Sequence, residues 1–150
     1  MLGLRQPMWS DWTPCSGGVT VEVIGGAVQA IEMFVVDDEP DIRLLVRTMV
    51  GLDPVMKIAG EAATGESAIE QLQQCSADVV VIDQAMPGIS GVETAVRLKE
   101  QNPSIRTVLF TAYLTAEVRR QAAEAGIDAC VAKTSIAELV TEARRVARPS

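Results

Sequence analysis

Ala77-Asp78-Val79-Val80-Val81-Ile82-Asp83-Gln84-Ala85-Met86-Pro87-Gly88-Ile89-Ser90-Gly91 is the stretch on which the fold of this chain turns. Val79 to Ile82 is an unbroken β-branched run, too short for a helix. It predicts a strand buried on both faces, as a parallel sheet requires. The run stops on Asp83, and a Pro-Gly-x-x-Gly loop then has to leave the plane of the sheet. That puts a carboxylate at the carboxyl edge, where open α/β sheets carry their chemistry. On this stretch alone, a cap on the following helix explains Asp83 equally well.

Working outward, strand and helix patterns alternate. Upstream, Ile31 to Val36 predicts a first strand that halts at Asp37-Asp38-Glu39. Pro40 suits the first turn of a helix, where its missing N–H is no loss. Ile42, Leu45, Val46 and Met49 recur at helical spacing and predict an apolar stripe laid on the sheet. Met56 to Gly60 reads as a short, weaker second strand, and Gly65 to Cys75 as a helix. Downstream of Asp83, Gly91 to Asn102 predicts a helix that halts before Pro103, because the residue preceding a proline avoids helical geometry. Ile105 to Phe110 is a fourth strand, ending at Thr111-Ala112. A helix over Leu114 to Ala125 closes on Gly126, which is suited to a left-handed cap. Ala129-Cys130-Val131 is a fifth strand that delivers Lys133, and Ile136 to Val146 is the last helix. Five such units joined by short loops predict an α/β domain: a doubly wound, five-stranded parallel sheet with helices on both faces.

Residues 1–29 differ in character and are expected to be a largely disordered extension, followed by a domain over 30–147 and a tail over 148–150. Trp9 and Trp12 lie among Pro7, Pro14, Gly17 and Gly18, and the first 18 residues are read as disordered. Val19 to Val23 alternates with period two ahead of Gly25-Gly26, so a hairpin is conceivable. If Ile31 to Val36 is a central strand, both its edges are taken, and such a hairpin cannot join the sheet there.

The 150 residues match one domain, and the net charge of −7 with a pI near 4.6 opposes sequence-independent phosphate binding. Nucleic acid is therefore not an expected direct partner. Neither a bilayer span of roughly 18 to 20 apolar residues nor a secretory leader is visible. No membrane partner is expected, and the expected location is the cytoplasm. Cys15, Cys75 and Cys130 are widely spaced and no His is present, so neither a disulfide framework nor a zinc site is suggested.

The predicted strand ends gather Asp37, Asp38, Asp83, Thr111 and Lys133 at one edge. Singly, each has a plain explanation as a cap or a surface charge. Together, three neighbouring carboxylates repel and need compensation, which an ammonium and a divalent cation supply. Oxygen-only ligands completed by water and a phosphoryl oxygen suit Mg²⁺.

Here the chain resembles the receiver domains of two-component response regulators over about residues 30 to 147. The residues that carry the resemblance are Val35-Val36-Asp37-Asp38-Glu39-Pro40, Val81 to Gly91, Phe110-Thr111-Ala112 and Lys133. It implies a flavodoxin-like fold with strand order 2-1-3-4-5 and a phosphorelay function without conventional enzyme activity. Asp83 would be the phosphoacceptor. Asp38, Asp83 and the carbonyl of Ala85 would hold Mg²⁺, with Asp37 acting through a bound water. Thr111, the Ala112 N–H and Lys133 would contact the phosphoryl oxygens. The implied partners are a sensor histidine kinase or histidine phosphotransfer protein, a downstream protein target and a phosphorylation-dependent homodimer.

Three features depart from that family. Cys130 occupies the place where many receivers carry an aromatic lever, so switching is expected to rest on Thr111, with only a small thiol at Cys130. Ala85, two after the acceptor, offers no side-chain hydrogen bond at a position that influences hydrolysis. Thr134 follows Lys133 where proline is common, and a cis bond there would cost about 2.5 to 4 kcal/mol. Arg148-Pro149-Ser150 leaves no room for the DNA-binding domain that receivers of this appearance often carry, so the chain is expected to be either a stand-alone receiver or a fragment of a longer one. Two other readings compete. One is a degenerate receiver that docks proteins without phosphorylation. The other is a haloacid-dehalogenase-type phosphatase, which Ala85 opposes because that family places a second Asp there.

Overall fold

A computed structural model describes residues 20–148. The expectations for residues 1–18 and their tryptophans lie outside the described residues. Strand β3 (Ile31–Val36) leads into helix α1 (Pro40–Gly51), and β4 (Met56–Ala62) into α2 (Gly65–Gln74). Then come β5 (Val79–Ile82), α3 (Gly91–Gln101), β6 (Arg106–Thr111), α4 (Ala116–Glu124), β7 (Ala129–Ala132) and α5 (Ile136–Ala147). The five strands from β3 onward form one parallel sheet ordered β4-β3-β5-β6-β7, which is 2-1-3-4-5 counted from β3. The fold is the expected doubly wound α/β fold.

Within the N-terminal extension, residues 20–29 form the hairpin that the alternation ahead of Gly25-Gly26 made conceivable. Here β1 (Thr20–Val23) pairs antiparallel with β2 (Gly26–Gln29). Gly25 and Gly26 take φ of 99° and 126°, which a side chain would disfavour, and so permit the reversal. With β4 and β5 occupying both edges of β3, the hairpin remains a separate two-stranded sheet.

Alternation along the strands divides the core. Ile31, Met33 and Val35 of β3, with Val79 and Val81 of β5, pack with Val46, Val50, Leu139 and Ala143 of α1 and α5. Phe34, Val36, Val80 and Ile82 face the other way, onto Ala68 and Leu72 of α2 and Ala95 and Leu98 of α3. Both faces of β5 are covered, which accounts for four consecutive buried residues.

Two element boundaries move by two residues. β4 is seven residues long rather than short, because a register shift between Met33 and Phe34 lets it follow β3 as far as Val36 opposite Ala62. α4 starts only at Ala116, because the Thr115 hydroxyl caps it by accepting the Val118 N–H at 3.1 Å. Thr111 is therefore not that cap. Gly126 takes the expected left-handed conformation, with φ of 79°. Among the described residues no peptide bond is cis, so Lys133–Thr134 is trans. Cys75 is disulfide-bonded, although the cysteine spacing suggested no disulfide framework, while Cys130 is a free thiol. No helix among the described residues is long and apolar enough to cross a membrane.

Candidate functional site at the carboxyl edge of the sheet

The site is built by strand ends. β3 and β5 are neighbours, with Val36 opposite Ile82, so the next residue of each, Asp37 and Asp83, emerges side by side. The ladder continues one step past the strands: the Asp83 N–H donates to Val36 O at 2.9 Å and the Asp37 N–H to Ala62 O at 3.1 Å. On the far side, β6 and β7 pair Thr111 with Ala132, and the Lys133 N–H donates to Thr111 O at 2.9 Å. Lys133 thus leaves the sheet level with the acids.

Behind Asp83, Gly91 permits a close approach. A Cβ on Gly91 would stand 2.3 Å from the carbonyl oxygen of Asp83, so only glycine lets α3 start there. Gln84 Oε1 accepts the Val92 N–H at 2.9 Å and Ser90 Oγ accepts the Glu93 N–H at 3.1 Å, which satisfies the first turn of that helix. Asp83 itself is not among these caps, so its carboxylate remains turned to the site.

Lys133 Nζ is 2.8 Å from Asp37 Oδ2, 3.1 Å from Glu39 Oε1 and 3.4 Å from Asp83 Oδ2. Asp37 and Asp83 are buried, whereas Asp38 and Glu39 are exposed. Oxygens of Asp37, Asp38, Glu39 and Asp83 all lie within 4.8 Å of one another. Burial, then the neighbouring Asp37 charge, pushes the Asp83 carboxyl up to about 6, against the opposing pull of Lys133 and the Ala85 N–H. Burial pulls the Lys133 ammonium down, but Asp37, then Asp83 and Glu39, outweigh it and leave it raised.

One ammonium faces four carboxylates, so the pocket is short of positive charge. Asp37 Oδ1 accepts the Glu39 N–H at 2.8 Å. Asp37 Oδ2 is buried and takes its only close polar contact among the described residues from the Lys133 ammonium. An all-oxygen donor set whose carboxylates outnumber the one ammonium among them fits a hard divalent cation.

The remaining expected residues fall as follows. Thr111 is buried at the end of β6, and its Oγ1 accepts the Tyr113 N–H at 3.5 Å. Ala85 and Ala112 are exposed in the loops that follow β5 and β6. Cys130 sits lower on β7, opposite Leu109; burial raises its thiol pKa and Arg119 opposes that shift. Glu39 was not among the expected ligands, although its place in the acidic run was the available signal. Arg43, which donates to Asp37 O at 2.6 Å, had no sequence signal beyond its unfavourable place near a helix start.

Sheet order and an acid-and-ammonium edge define a CheY-like α/β domain whose acidic pocket is consistent with a phosphoacceptor site. The family model described as "Response regulator receiver domain" matches residues 33–144, and the chain belongs to that family. It is a receiver domain of a two-component system.

Among its relatives, the response regulator protein VraR of Staphylococcus saprophyticus is 28% identical over 115 residues, covering 77% of this chain and 55% of VraR. The transcriptional activator protein ExaE of Pseudomonas putida is 34% identical over 113 residues, covering 75% and 53% respectively. The chain thus spans about half the length of these relatives. A two-component response regulator of the LuxR family from Aurantimonas superposes with a TM-score of 0.75 at 27% identity, covering 79% of this chain and 85% of that one. The BeF3-activated DrrB receiver domain superposes with a TM-score of 0.68 at 27% identity, covering 78% and 97%.

Proposed function

We propose that Asp83 accepts a phosphoryl group from a phosphohistidine and that the modified domain switches a protein partner. The observation that supports this most directly is the Lys133 ammonium, 3.4 Å from Asp83 Oδ2 and held by Asp37 at 2.8 Å. In the transfer, an Asp83 oxygen attacks phosphorus, the phosphorus–oxygen bond forms and the phosphorus–nitrogen bond breaks. The pair of electrons returns to the imidazole, which then takes a proton. Carboxylate is the nucleophilic form, and with a pKa of about 6 Asp83 is mostly ionised at neutral pH.

Phosphoryl transfer spreads negative charge over the equatorial oxygens, so positioned cations are the main catalytic need. Mg²⁺, the cation we assign to the acidic pocket, supplies charge neutralisation there when bound. Asp38, Asp83 and the Ala85 carbonyl would hold it, with Asp37 acting through water and Glu39 at the rim. Lys133, the Thr111 hydroxyl and the Ala112 N–H take the phosphoryl oxygens. Hydrolysis of the acyl phosphate resets the domain. Because Cys130 is too small to act as an aromatic lever, the change passes through Thr111 and the segment leading to α4. The partners on this reading are a sensor histidine kinase or phosphotransfer protein in the cytoplasm, and a downstream protein, with a phosphorylation-dependent homodimer as one form of the output.

Acetyl phosphate with Mg²⁺ tests the proposal by intact-mass spectrometry. The native protein is expected to gain one phosphoryl group, which is lost on chelation and absent in Asp83→Ala. An unmodified native protein, or an equally modified Asp83→Ala, would overturn it and leave a phosphorylation-independent docking module.

A further inference from the structure

Arg43 breaks two local rules. As the fourth residue of α1 it sets a cation against the positive end of the helix dipole, and it repeats that charge one turn later at Arg47. Local choices that oppose helix formation point to a compensating role in the fold. Two contacts define that role. Arg43 Nη1 donates to Asp37 O at 2.6 Å, while Arg43 Nε pairs with Glu61 Oε1 at 3.3 Å. Glu61 lies on β4 opposite Val35 and also receives Arg47 at 3.2 Å. Arg43 and Glu61 are both about one-fifth exposed, so the pair is largely shielded from water.

The carbonyl that Arg43 takes belongs to the peptide joining Asp37 to Asp38. That unit is planar, so anchoring its oxygen fixes the direction in which the chain enters Asp38. The planar guanidinium can hold the carbonyl and Glu61 in two directions at once, which a lysine ammonium on a flexible stem does not reproduce.

We propose that Arg43, braced by Glu61, is a positioning residue for the cation site: it holds the Asp37–Asp38 peptide so that the Asp38 carboxylate faces Asp83. This role rests on the receiver reading of the pocket given above. It has a distinctive sign. A cation beside an acidic pocket opposes binding of a second cation through charge alone, so its removal would tighten binding if charge were all that mattered. Positioning gives the reverse.

Calorimetric titration of the metal-free protein with Mg²⁺ near neutral pH separates the two. Arg43→Ala and Arg43→Lys are both expected to weaken Mg²⁺ binding by about tenfold or more, in line with loss of a group that orients a ligand. Glu61→Gln is expected to shift binding in the same direction by less, and Arg47→Ala to leave it within about twofold, as an exposed ion pair contributes little. With acetyl phosphate, the Mg²⁺ concentration for half-maximal rate rises in Arg43→Lys while the rate at saturating Mg²⁺ holds. If Arg43→Ala fails to fold, Arg43→Lys and Glu61→Gln decide the matter. Native-like binding in Arg43→Lys, or tighter binding in Arg43→Ala, overturns the positioning role alone. A native protein that binds no Mg²⁺ overturns the receiver reading of the pocket, and this role with it.

Discussion

The ammonium of Lys133 lies nearer to Asp37 than to Asp83, 2.8 Å against 3.4 Å. The lysine is therefore anchored chiefly by the acid beside Asp83 rather than by Asp83 itself. Asp37 supplies that anchor from a buried position, where the charge–charge attraction is weakly screened.

Removing the ammonium leaves Asp37 and Asp83 uncompensated. Lys133→Met is expected to destabilise the fold by about 2 to 3 kcal/mol near neutral pH, somewhat below the usual cost of breaking a fully buried pair because the pocket is open on one side. Lys133 has a raised folded pKa, so its contribution is present through the neutral range and is lost only as pH climbs past its ordinary value of 10.5. The part of the loss that comes from Asp83 shrinks as pH falls through about 6, where the folded carboxyl takes up its proton. Urea denaturation at several pH values measures it.

Asp83 has the opposite effect on stability at neutral pH. Its carboxyl is raised from 3.8 to about 6, first by burial and then by Asp37. The folded state binds the extra proton, so the stabilisation is complete below 3.8 and disappears as pH rises through about 6. Without metal, Asp83→Asn is expected to be more stable than the native protein by about 2 to 3 kcal/mol above that range, at 1.36 kcal/mol per pKa unit. Equal urea midpoints in chelator at pH 8 would refute this.

Two glycines separate close approach from mere flexibility. At Gly91 a Cβ would meet backbone 2.3 Å away, whereas at Gly51, the last residue of α1, nothing stands within 4 Å. Gly91→Ala is expected to cost about 2 to 3 kcal/mol by forcing α3 away from Asp83. Gly51→Ala is expected to add about 0.5 to 1 kcal/mol through helix propensity. Thermal unfolding of both variants checks the contrast.

Ala85 is exposed and leaves the space two residues after Asp83 without a polar side chain. Ala85→Asn is expected to change the lifetime of the aspartyl phosphate several-fold while altering stability by less than about 0.5 kcal/mol, the usual range for a surface substitution. Dephosphorylation under Mg²⁺, compared with the urea midpoint, tests the pairing; equal rates count against it.

Much of this molecule is local in origin and was legible in the chain. Period-two and helical apolar spacing, Pro40, Gly126 and the buried run before Asp83 specify strands, helices and their order, because each pattern reports which face of one element avoids water. The identities of Asp37, Asp38, Asp83, Thr111 and Lys133 at strand ends follow from the same patterns, since parallel strands present like ends to one edge.

Contacts between distant residues were decided only by tertiary structure. Glu39 reaches Lys133 across 94 positions, and the Asp37–Lys133 pair exists only where β3, β5 and the turn after β7 converge. The Arg43 contact with Asp37 O depends on how α1 sits over β4, and the length of β4 depends on a register shift in its neighbour. Hydrophobic periodicity records burial but carries no information about which polar atoms meet, because those directions are set by the docking of whole elements against one another.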